Sequence, residues 1–305
     1  MRSLRFNDIQ QSESKPIRTY FMPSIAAVLL VILHVMQVHV ISQKNDVPVY
    51  HLSEPDKVMV LHSDLDEISG LSYHDGKLYA VQDEEGAIYT LDPTTGNILD
   101  VKKCWKKGDY EGVEVVEGHV YMLKSNGNIY KSPLGDLCEA KTIKIDLGFN
   151  KDFNFEGMGY HPIDKTLLIA AKRSEYANEK EVYCLPISNM TIVNEPCYIV
   201  NDQALQNELM KSKNSWMEKM AHKVSYSFNP SGIAVHPQNG DIYILSSPVH
   251  QLLLLTKDWK FKKILQLDPD LYKQPEAICF DTDLNLYIGN EARKGKPRIL
   301  KFHPR

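Results

Sequence analysis

Three glutamates stand in equivalent places along this 305-residue chain, each directly before the small residue of a recurring phrase: Glu111-Gly112, Glu156-Gly157 and Glu276-Ala277. Serines fill the same slot in two further copies, Ser69-Gly70 and Ser231-Gly232. Carboxylates gathered on one axis repel one another unless protons or cations neutralise them. A hard cation is the economical partner, because Ca2+ takes its ligands as carboxylate, carbonyl and water oxygens. Asp109, Asn154 and Asn229, two residues before their slots, offer further oxygens, as do Asp83, Asn290 and Glu291. The candidate metal ligands are therefore Glu111, Glu156, Glu276, Glu291 and Asp83, with Ca2+ the expected ion. The same glutamates have a plainer reading, in which each caps the backbone of a neighbouring repeat or pairs with Lys124 or Lys172.

No catalytic residues are legible. The chain has no G-x-S-x-G, H-E-x-x-H, Walker or Rossmann glycine signature. His161 and His236 each precede a proline where a first strand ends, which reads as a turn motif.

Convergence of this kind needs a fold that gathers distant repeats around an axis. Taking Gly70, Gly112, Gly157, Gly232 and Ala277 as the register, the copies are 42, 45, 75 and 45 residues apart. Three of those steps match a four-stranded propeller blade. Each phrase opens an apolar strand and is followed by a turn and a second strand, such as Lys77–Val81, His119–Leu123 and Asp241–Leu245. Third and fourth strands follow in most copies. Tyr79, Tyr121, Tyr243 and Tyr287 recur in the second strands and read as core. The last copy lacks a fourth strand, and an unassigned strand at Lys57–Leu61 precedes the first. Together they predict an all-β, five-bladed β-propeller over residues 48–303, closed by its own first strand. The long step holds Asp202–Lys223, which reads as a surface helical insertion. A degenerate sixth blade is the competing reading.

The N-terminus stands apart. Residues 1–23 carry Arg2, Arg5, Lys15 and Arg18, and the run from Ser24 to Ser42 has no charged residue. A basic flank before about one bilayer thickness of apolar chain predicts a transmembrane signal anchor with the propeller extracytoplasmic, in the periplasm or cell envelope. A signal peptide, cleaved to release a secreted protein, is the alternative, and a buried core helix the third reading. Five cysteines are consistent with export. Cys184 and Cys197 flank a hairpin, Cys104 and Cys138 sit on outer strands, and Cys279 reads as a buried thiol. Five unpaired thiols are the other reading. A net charge of −4 with scattered Lys and Arg gives no footprint for nucleic acid.

The set Ile68-Ser69-Gly70-Leu71, Glu111-Gly112-Val113, Phe155-Glu156-Gly157-Met158, Pro230-Ser231-Gly232-Ile233 and Pro275-Glu276-Ala277-Ile278 resembles the SdiA-regulated domain family, as does the closing Gly289-Asn290-Glu291-Ala292. The resemblance covers residues 48 to 303. It implies a five-bladed propeller similar to NHL-repeat proteins, with a calcium site. The chain departs from that pattern at Lys124-Ser125, Lys172-Arg173 and Ser246-Ser247, where relatives tend to be acidic. The functional expectation is a calcium-binding extracytoplasmic propeller that recognises a small-molecule or protein ligand at a channel mouth. The alternatives are a metal-dependent hydrolase, of lactonase or phosphoesterase type, and a structural envelope scaffold.

Overall fold

In the computed structural model, alternating apolar strands fold into five four-stranded antiparallel sheets. The structure describes residues 49–138, 142–174, 178–192, 195–211, 218, 219, 221–223 and 225–305. The expected basic N-region (1–23) and membrane-spanning segment (24–42) lie outside the described residues.

Blade one holds β2 (Ile68–His74), β3 (Lys77–Gln82), β4 (Ala87–Leu91) and β5 (Ile98–Lys103). Blade two holds β6 (Tyr110–Val116), β7 (His119–Lys124), β8 (Ile129–Pro133) and β9 (Ile143–Ile145). Blade three holds β10 (Asn154–His161), β11 (Thr166–Arg173), β12 (Glu179–Pro186) and β13 (Tyr198–Asn201). Blade four holds β14 (Gly232–Val235), β15 (Ile242–Ser246), β16 (Gln251–Leu255) and β17 (Phe261–Gln266). Blade five joins β18 (Pro275–Phe280), β19 (Leu286–Asn290) and β20 (Arg298–Phe302) to β1 (Lys57–Val60). Lys57 lies opposite Lys301 and Val60 opposite Arg298, so the first strand closes the ring. Val49 and Arg305 add two reciprocal backbone hydrogen bonds beside it. The closure expected from the unassigned strand is present, and the described residues form five blades.

Turn chemistry sets the hairpins. Asp75-Gly76 and Glu117-Gly118 both take positive φ at the two central positions, the combination that matches strand twist in a two-residue hairpin. In the first hairpin of blade five the left-handed residue is Leu284 (φ 66°). Between blades, side chains of facing sheets interlock. Tyr121, Tyr243 and Tyr287 are fully buried and Tyr79 nearly so, as their recurrence predicts. Each such side chain is worth roughly 1.5–3 kcal/mol of burial.

The inner strands approach one another closely, which accounts for the register glycines. A Cβ on Gly112 would lie 2.8 Å from the Cβ of Met158, and one on Gly70 would lie 2.8 Å from the Cα of Gly112. Toward the axis the molecule therefore narrows to a cavity of about 10 Å3, lined by Gly70, Gly112, Gly157 and Gly232 with Glu111 and Glu276. That volume is about one water. The expected channel is a mouth above a constriction rather than an open tube.

The long step contains a helix, α1 (Asp202–Met210), capped by the Asn201 side chain, which accepts from the Ala204 N–H. Its Leu205 and Leu209 join Ala221, Tyr226 and Phe228 in the core between blades three and four. The insertion is thus packed into the body rather than lying free on the surface. Residues 212–217 and 220 of the expected helical stretch are outside the described set. Disulfides join Cys104 to Cys138, stapling blade one to blade two, and Cys184 to Cys197 within blade three. Cys279 is a buried free thiol.

Candidate functional site

A bulge at the head of the inner strands builds the site. Pairing skips one residue between Ile68 and Gly70, Tyr110 and Gly112, Phe155 and Gly157, and Pro275 and Ala277. The skipped residues are Ser69, Glu111, Glu156 and Glu276. Ser231 stands immediately before β14. An extra residue in a strand bends it and re-aims a side chain. Here it turns each register residue out of the ladder, at the end of the ring where first strands begin and second strands end.

The serines and the glutamates then do different work. The Ser69 hydroxyl donates to the Tyr110 carbonyl (2.6 Å), and that of Ser231 donates to the Pro275 carbonyl (2.7 Å). Each ties its blade to the next. The glutamates instead meet other charges. Glu156 Oε1 accepts from Lys172 Nζ at 2.6 Å and from Asn154 Nδ2 at 3.1 Å. Burial raises the Glu156 carboxyl above its usual range, and Lys172 and Asn154 oppose that rise. Glu111 is pushed up to about 11 by burial, then by the charge of Glu156, a hydrogen bond with Asp109 and the charge of Glu276. Glu276 rises to about 8, again through burial first and then Glu156 and Glu291, with Lys172 and Ser247 opposing. Lys124, the other expected partner, lies over the Tyr110 ring at 5.2 Å.

A second group gathers over blades five and one. Glu291 follows the end of β19 and Asp83 follows the end of β3. Asp83 is raised to about 7 by burial and a hydrogen bond with Glu67, then by the charges of Glu67, Asp109 and Glu84. Glu291 also rises to about 7, through burial and the charges of Asp83 and Glu67, with Arg293 opposing. Beside these carboxyls opens a pocket of about 600 Å3 lined by Glu67, Gln82, Glu84, Glu85, Glu291 and Arg293 among others. Glu85 is engaged by Lys107 (2.5 Å) and Lys103 (3.6 Å). Asp83 Oδ1 is buried with no hydrogen-bond partner.

The five expected ligands thus share one mouth but divide into an axial set (Glu111, Glu156, Glu276) and a lateral set (Asp83, Glu291). Among the described residues no three His, Cys, Asp or Glu side chains stand close enough to grip one metal ion as they are. The lateral donors nonetheless fit a hard cation, since they are all oxygens and one is buried and unpartnered. Sequence reasoning missed Glu67 and Glu84. Glu67 was findable, because it stands three residues before Gly70 as Asp109 stands three before Gly112. His161 and His236 lie at the opposite end of the inner strands. There the Nδ1 of each accepts turn N–H groups, from Asp164 and from Gln238 and Asn239 respectively. Burial lowers His236 to about 4, so it is neutral near pH 7.

The family model described as SdiA-regulated matches residues 47–293. No curated protein matches the sequence. Among solved structures, the glutaminyl cyclase of Myxococcus xanthus aligns with a TM-score of 0.52 at 11% identity, covering 82% of this chain and 95% of that one. A luciferin-regenerating enzyme aligns with a TM-score of 0.48 at 10% identity, covering 82% and 95%. A chain of a nidogen/laminin complex aligns at 0.47 and 14% identity, covering 78% and 80%. At 11% identity the likeness to the glutaminyl cyclase is one of fold.

Proposed function

The chain belongs to the SdiA-regulated family, and from that premise we propose that it is an extracytoplasmic binding propeller that takes a cation, Ca2+ in the first instance, at its acidic mouth. The observation that carries the reading is the lateral set: Glu67 and Glu291 line a 600 Å3 pocket with Arg293 as the opposing charge, beside Asp83, whose Oδ1 is buried without a partner. Two of these carboxyls hold their protons up to about pH 7, which marks a place where negative charge lacks a partner. A cation supplies that partner and displaces the protons. Both matched histidines lie at the far end, so a hydrolase at this mouth would draw its acid or base from the carboxyls or from His250 in the β15–β16 turn. Binding needs no such group, and the geometry supports it best.

The test is thermal melting with Ca2+ and with chelator. An ion that binds only the folded ring at a hundredfold above its Kd adds about 2.7 kcal/mol. That should raise the Tm of the wild type by about 5 °C. Replacing both Glu67 and Glu291 by Gln should abolish the rise while leaving the fold intact. A wild-type melt indifferent to calcium from micromolar to millimolar sinks the reading.

A further inference from the structure

The β10–β11 hairpin carries two register shifts where the hairpins of blades one, two and five carry one. Besides the skip that frees Glu156, pairing jumps from Asn154↔Arg173 to Phe155↔Ala171, which leaves Lys172 out of the ladder on the facing strand. In the equivalent hairpins the residue before the slot pairs with Gln82, Lys124 or Asn290, as Phe155 pairs with Ala171. Lys172 therefore stands one position further along, where the other hairpins carry Asp83, Ser125 and Glu291. Lys124 is one position short of that row, paired with Tyr110 and lying over its ring. From its place in the row Lys172 holds its ammonium 2.6 Å from Glu156, over the mouth whose axial cavity Glu111 and Glu276 line.

We propose that Lys172 is the resident cation of the axial glutamates, a specificity-determining side chain that keeps multivalent ions off Glu111, Glu156 and Glu276 and leaves the lateral set as the place where an outside cation binds. The inference deepens the cation-binding reading and rests on it for the lateral half. The ion pair supports it: an ammonium 2.6 Å from Glu156 gives the axial carboxyls a resident positive charge that an entering cation would have to displace. Glu156, Glu276 and Glu111 in turn raise Lys172, against the cost of its burial.

The experiment compares the wild type with Lys172→Met, Lys172→Gln and Lys172→Arg of the full chain, melting each in chelator and in Ca2+. The Met and Gln variants should melt lower than wild type in chelator. They should gain at least about 5 °C more from Ca2+ than the wild type does. Adding Glu156→Gln to either should remove the gain, and Lys172→Arg should behave as wild type. If Lys172→Met is unfolded in chelator, rescue by Ca2+ supports the proposal, and failure of Ca2+ to rescue both it and Lys172→Gln overturns it. A calcium response in Lys172→Met and Lys172→Gln no larger than that of the wild type also overturns it. A silent wild type beside responsive Met and Gln variants would sink the lateral site alone and leave the role of Lys172 standing.

Discussion

The two sides of the mouth are built on opposite terms. Over blades three and four the chain inserts α1 and the segment to Phe228, and buries Leu205, Leu209, Tyr226 and Phe228 against the sheets. Its hydrogen bonds cross the insertion: Phe228 N–H donates to Asp202 Oδ1 at 2.8 Å, the Tyr226 hydroxyl donates to Gln251 Oε1 at 2.8 Å, and Lys172 meets Glu156, while Asp202 Oδ2 and Gln251 Nε2 are buried without a partner. Over blades five and one there is no inserted segment. The short connection from β1 to β2 leaves a pocket lined with carboxyls, and Arg293 faces several of them. One side invests its residues in packing, the other leaves charge unmatched. A binding surface on a stable ring needs both, because unmatched buried charge costs stability that packing elsewhere must offset.

The comparison breaks most sharply in the core of the covered side. Phe228→Ala removes a fully buried ring and should cost about 3–5 kcal/mol in denaturant melts. Glu84→Gln on the open side should change stability by less than about 0.5 kcal/mol. Equal effects would mean the two sides are not energetically distinct. A smaller and signed effect concerns pH. Asp83, Glu276 and Glu291 are raised in the folded state, so their contribution is favourable below pH 4 to 5 and is lost as pH rises through about 7 to 8. With chelator present, the Tm should therefore fall between pH 6 and pH 8.5, and saturating Ca2+ should flatten that fall. A Tm that rises over this window contradicts the charge balance of the open side. A further effect separates the serine slots from the glutamate slots. Ser69→Ala leaves the Tyr110 carbonyl without its 2.6 Å donor and should cost about 1–3 kcal/mol, with no change in calcium response.

Much of this was legible in the chain. Spacing of the glycine phrases gave the blade count, and the orphan strand at Lys57 gave the closure, because a sheet edge has to be paired somewhere. The five ligand candidates do reach one mouth. What was not legible was their division into two sets. The axial three are bulge residues of first strands, while Asp83 and Glu291 follow the ends of second strands, and a bulge leaves no mark in composition or periodicity. Lys124 and Lys172 look alike in sequence and do different things. The narrow axis was equally hidden: glycines read as turn or register residues until the 2.8 Å approach between neighbouring strands shows what a side chain would strike.

The ring's clasp joins the two extremes of the propeller. β1 pairs with β20, so Lys57 finds its partner only in Lys301. On a ribosome the earliest strand of the propeller therefore waits for almost the last one. Until then blade five lacks its outer strand, and β1 is an edge with no neighbour. Contacts this distant in sequence slow folding, and an exposed edge invites pairing with another chain. The outward side chains of β1, Val58 and Val60, stay half-exposed even in the closed ring, so the waiting strand is an apolar one. Lys57 beside them is the kind of charged neighbour that discourages such pairing. The pairing that removes the edges of the finished ring leaves the growing chain with two of them.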